Sequence, residues 1–111
     1  MPSPIPAHLK GERKFEPGTL TVTSAAQEAL RAARLSVEVL VARHCTGDFG
    51  ELSSDDAMTC RSNILNGGHV TSIYAASGFS LGLKRERIWV CSLLREGWTH
   101  VCIESEAHSL F

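Results

Sequence analysis

A chain of 111 residues with 43% hydrophobic and 21% charged residues has the balance of one globular domain with a single core, not of a disordered segment. Its net charge of −1 argues against a nucleic-acid binder with a broad basic surface, and equally against a DNA mimic with a large negative excess. No apolar run reaches the roughly 18 residues that span a bilayer, and the N-terminal MPSPIPAHLKGERKFEPG lacks the apolar centre of a signal peptide, so a cytoplasmic protein is expected.

Residues 1–17 carry all four prolines and no periodicity, which predicts an extended or poorly ordered arm ahead of a single domain over 18–111. Thr19-Leu20-Thr21-Val22 alternates briefly as a short strand would. Thr23 or Ser24 can then N-cap a helix through Ala33, with Ala26, Ala29, Leu30 and Ala33 on one face. Ser36 is placed to cap a second helix from Val37 to about His44, whose stripe is Val37, Leu40, Val41 and His44, and Gly47 can end it in a left-handed turn. Ser53 opens a third helix with Asp56 at the capping-box position, and Asn66-Gly67-Gly68 stops it.

From His69 the pattern turns β-branched and aromatic: HVTSIYAA, RIWVCSLL and THVCIES read as three strands. A two-residue turn at Glu96-Gly97 pairs Arg95 with Trp98, and so sets Cys91 opposite Cys102 and Leu93 opposite His100. Ile88, Val90, Leu94, Val101 and Ile103 then face the helices. Trp89, Cys91, Arg95, Trp98, His100, Cys102 and Glu104 share the other side. The fold class is α+β: about three N-terminal helices on a C-terminal three-stranded antiparallel meander, with the short N-terminal strand as an extra.

The segment ARHCTGDFGEL, Ala42–Leu52, joins a helix end to an acidic loop and carries the first candidate site. His44 lies where the helix dipole favours a protonated imidazole, with Asp48 and Glu51 near enough in sequence to pair with it. It is a cap bonding loop carbonyls, with Asp48 bonding amides of the turn, or a general base or binding residue, or a metal ligand. Phe49 is either a plug over the core or an exposed anchor.

The four cysteines, Cys45, Cys60, Cys91 and Cys102, form no CxxC pair, and without a signal peptide reduced thiols are expected. Cys91, His100 and Cys102 would need His69, His108 or Cys45 to complete a zinc site, a spacing that matches no recognised pattern, and no cofactor is expected. Trp89 and Trp98, with Arg95, make a sheet face suited to a protein partner, unless the N-terminal arm covers it.

These residues also carry a resemblance. RHCTGDFGEL, an acidic helix start, a helix ending in GG, then RIW and a closing strand resemble a family of small bacterial proteins borne on plasmids, phages and integrated elements, some labelled plasmid-related or restriction-system subunits. The matching positions are Arg43, His44, Gly47, Asp48, Gly50, Glu51, Leu52, Asp55, Gly67, Gly68, Ser72, Tyr74, Arg87, Ile88, Trp89 and Thr99. The family has tryptophan where Phe49 stands, and a TEADRS-like segment where this chain has SLLREGW, Ser92–Trp98. The resemblance implies a non-catalytic accessory protein of a mobile element, working by protein–protein contact, with modulation of a host defence system as one expected role, though it brings no reaction with it. The alternative is a small ribonuclease of the barnase or RelE type, which shares the helix-then-meander layout. It would ask His69, Arg87, His100 and Glu104, with Arg95, to supply the acid, the base and the phosphate contacts.

Overall fold

The computed structural model describes residues 13–75 and 87–110, and the expected loop over Ser77–Glu86 lies outside them. The element order is β1 (Thr19–Val22), α1 (Ser24–Ala32), α2 (Val37–Cys45), α3 (Ser54–Asn66), β2 (His69–Ala75), β3 (Arg87–Leu93), β4 (Trp98–Ile103) and α4 (Glu104–Leu110). The fold is α+β. Three helices pack on the antiparallel meander β2-β3-β4, and β1 lies parallel to β4, giving the sheet order β1-β4-β3-β2.

The helix starts follow local rules at two of three positions. Thr23 Oγ1 accepts from the Ala26 N–H (3.1 Å), and Ser53 Oγ accepts from the Asp56 N–H (3.2 Å). Ser36 makes no such cap; its hydroxyl donates to the Glu38 carboxylate instead, at 2.6 Å. The main core lies between one sheet face and the first two helices. Tyr74, Ile88, Val90 and Val101 meet Ala26, Leu30, Leu40, Val41 and Cys45 there. A second cluster joins α3 to β2 through Phe49, Ala57, Cys60 and Val70, and Phe15 packs against both.

The register of the β3–β4 hairpin corrects the expected one. Cys91 faces His100, Trp89 faces Cys102 and Leu93 faces Trp98. The turn occupies residues 94–97 because Leu94 and Arg95 are drawn out of the ladder. Their N–H groups donate to the carbonyls of Gly68 (3.2 Å) and Gly67 (2.8 Å) at the end of α3, while the Gly97 N–H closes on Leu93 (2.9 Å). A slip of two residues leaves the side chains that stay within β3 and β4 on their expected faces, since strand side chains alternate with period two.

The expected strand through Ser105 stops at Ile103. The Glu106 carboxylate accepts from the Ile103 N–H (3.1 Å) and from Thr23 Oγ1 (2.6 Å), which starts α4 instead. Among the described residues no helix is long and apolar enough to cross a membrane.

Candidate functional site

His44 sits on the inner face of α2, 0% exposed, with its ring edge-on to Phe15 at 5.1 Å. Its Nδ1 lies 2.6 Å from Ser72 Oγ and its Nε2 lies 2.9 Å from Ser92 Oγ. Ser92 Oγ is 2.6 Å from Thr99 Oγ1, which donates to the Pro17 carbonyl at 2.6 Å.

The proton positions follow from the end of this chain. A carbonyl can only accept, so Thr99 spends its proton on Pro17 and must accept from Ser92. Ser92 then accepts from Nε2–H, and the bare Nδ1 accepts from the Ser72 hydroxyl. The imidazole is neutral, and burial drives its pKa from 6.5 to about 3. The expected protonated imidazole at a helix terminus is therefore overturned: desolvation outweighs the dipole, and among the described residues no carboxylate bonds the ring.

The hydroxyl–imidazole pair of Ser72 and His44 has the spacing of a nucleophile and its base. Ser72 is 0% exposed and Ser92 2%, so both hydroxyls are buried with the imidazole. The network ties α2 to β2, β3, β4 and residue 17.

The acidic residues of the loop have other partners. Asp48 pairs with Arg43 (2.7 Å) and accepts from the Gly50 N–H (3.2 Å). Burial opposes its ionisation, but the bonds from Arg43 and Gly50 and the Arg43 charge prevail and lower its pKa. Arg43 also lies over the Tyr74 ring at 4.5 Å, and the Tyr74 hydroxyl donates to the Asp48 carbonyl at 2.5 Å. Glu51 is 3.6 Å from Arg87, which also binds Glu104 through Nε at 2.7 Å. Phe49 is 4% exposed in the second core cluster, which makes it the plug and not an exposed anchor. Asp48→Ala removes one turn bond and one part-exposed ion pair, so urea unfolding should show a loss of about 1 kcal/mol.

Of the ribonuclease residues, Arg87 and Glu104 meet, but the four do not form one site. His69 pairs with Leu93, and Arg87 lies six positions along β3 from it, roughly 20 Å at the strand rise. Arg87 and Glu104 are engaged with each other. Arg95 stands in the turn and Glu104 at the head of α4, so both leave the sheet face assigned to them. His100 bonds Thr21 Oγ1 through Nδ1 at 2.7 Å.

What remains on that face is Trp89, Cys91, Trp98, His100 and Cys102, adjoined by His69 and Thr71 of β2. A shallow hollow of about 100 Å³ is lined by His69, Thr71, Trp89, Cys91, Ser92 and Trp98. Both tryptophans are half-buried. Burial raises the thiol of Cys91 to about 12 and those of Cys102 and Cys45 to about 11, so these thiols are poor nucleophiles at neutral pH. Among the described residues no group of three or more His, Cys, Asp or Glu side chains is arranged to hold a metal ion.

Ser72 and Thr99 stand among the positions of the resemblance but carry no expected role, and Ser92 is not among the candidate site residues. Their signal was present: three hydroxyl residues at inward-facing alternate positions among Val70, Tyr74, Ile88, Val90 and Val101.

The chain matches no family model, no curated protein and no solved structure. Its chemistry is therefore read from its own residues.

Proposed function

We propose that the protein is a non-catalytic accessory that works by protein–protein contact, through the sheet face around Trp89 and Trp98. The observation that carries this reading is the hollow between the two half-buried tryptophans, on the side of the sheet away from the main helical core. Tryptophan beside a small depression is the composition of an interface anchor point. The two serine hydroxyls at hydrogen-bond distance from His44, those of Ser72 and Ser92, are buried and engaged in holding the fold. A mobile genetic element as the setting, and a host defence system as the target, rest on the resemblance alone.

Co-purification from the native host tests the reading. One partner should be retained in a fixed ratio, and Trp98→Ala should weaken it by about 2 kcal/mol, roughly thirtyfold, in a variant that is still folded. Capture that survives both Trp89→Ala and Trp98→Ala would remove this face from the account. Cleavage of a mixed RNA pool by the purified protein, lost in a folded His69→Ala or His100→Ala variant, would replace binding with ribonuclease chemistry.

A further inference from the structure

The two edges of the sheet are finished differently. Along β2 the chain occupies its own outward backbone groups. The His69 carbonyl accepts from Asn63 Nδ2 (2.8 Å), and Cys60 Sγ bonds both the N–H (3.4 Å) and the carbonyl (3.6 Å) of Thr71. The Ile73 N–H donates to Phe49 (3.1 Å), and its carbonyl accepts from Glu51 (2.6 Å).

Along β1 no described residue occupies the outer edge. The Thr19 N–H donates to Gly97 (2.9 Å) and the Thr23 N–H to Val101 (3.0 Å). By the alternation of a parallel ladder, Thr19 and Thr21 address β4, while Leu20 and Val22 turn their N–H and C=O groups outward. Among the described residues none bonds those four groups. Thr19, Leu20 and Thr21 are exposed, Leu20 at 40%, and the strand TLTV has no charge, proline or bulge to discourage pairing.

We infer that β1 is a self-pairing edge: two copies of this chain join through antiparallel β1 strands into one continuous eight-stranded sheet. The outward residues set the register. A two-fold axis through Thr21 places Leu20 opposite Val22 of the second copy, twice over, and each pair exchanges both backbone bonds, four in all. Leu20 and Val22 pair in β1 with Thr99 and Val101, so they lie on the helix side of the sheet, where the exposed Leu20 meets Val22 of the other copy. A second copy is the occupant because the strand satisfies itself under this symmetry. Outward residue meets outward residue, apolar meets apolar, and no like charges are brought together.

Sedimentation across a dilution series, read beside amide hydrogen exchange at Leu20 and Val22, tests the pairing. A concentration-dependent dimer is expected, with both amides protected as it forms. Leu20→Lys should lower the association constant about tenfold or more while leaving the monomer folded, since that side chain is exposed. Leu20→Pro, which removes only an outward N–H, should act in the same direction. A monomer at every concentration overturns the inference. So does protection that ignores concentration, which would mean the chain covers its own edge, or a dimer indifferent to both substitutions.

Discussion

Taking the protein from neutral pH to about 4 is expected to remove about 3 kcal/mol of stability through His44 alone. Burial holds the folded imidazole near pKa 3, against 6.5 when the ring is free in water. Between those values the unfolded chain binds the proton and the folded chain does not. Stability from this group is therefore complete above pH 6.5 and is lost progressively as pH falls toward 3. Protonating the ring in place would put a second N–H against Ser72 Oγ, whose proton already points at Nδ1. Urea midpoints of the parent and of His44→Gln, measured over this range, isolate the group. The variant should be the less stable of the two at neutral pH and the less sensitive to acid. Parallel curves would show that another residue carries the acid response. If the variant does not fold, the His44 ring resonance in the parent should stay untitrated through pH 5.

Gly50→Ala should lower stability by about 3 kcal/mol. Gly50 has a φ of +67°, and a Cβ there would press into the Ile73 carbonyl oxygen and come within 2.7 Å of the Tyr74 ring. Relief requires the 49–51 loop to lift from β2, which breaks the Phe49–Ile73 and Glu51–Ile73 bonds and uncovers that strand. Gly47→Ala is the control. Gly47 has a φ of +91° with nothing within 4 Å of the added carbon, so only the backbone strain of about 1 kcal/mol applies. Equal losses from the two substitutions would show that close approach to β2 is not what Gly50 provides.

The parts that local chemistry governs were readable from the chain. Thr23 and Ser53 cap helices because a hydroxyl reaches an amide three residues on, a distance sequence spacing encodes. The faces of β3 and β4 follow from alternation, which a slip of two residues does not disturb. The errors lie where a remote group decides. Gly67 and Gly68 take the amides of Leu94 and Arg95, and no pattern within the hairpin reveals that. Helix α4 begins where Glu106 meets Ile103 and also Thr23, 83 positions away. His44 looked like a charged helix terminus because its two hydroxyl partners, Ser72 and Ser92, stand far along the chain on β2 and β3. The sheet face was legible as a set of residues, but Arg95 and Glu104 fell out of it for the same non-local reasons.

The parallel pairing of β1 with β4 also orders events during synthesis. Thr21 and His100, neighbours in the sheet, are 79 positions apart. When β1 leaves the ribosome, its partner edge has yet to be made, and α1 to α3, β2 and β3 all emerge first. Closing so long a loop is a late and slow step in folding. Until β4 arrives, the core beneath α1 lacks Val101, and the Thr99 hydroxyl that completes the buried polar chain is absent. A nascent chain stalled before Trp98 should therefore expose TLTV together with the inner face of α1, making that intermediate the form most in need of a chaperone.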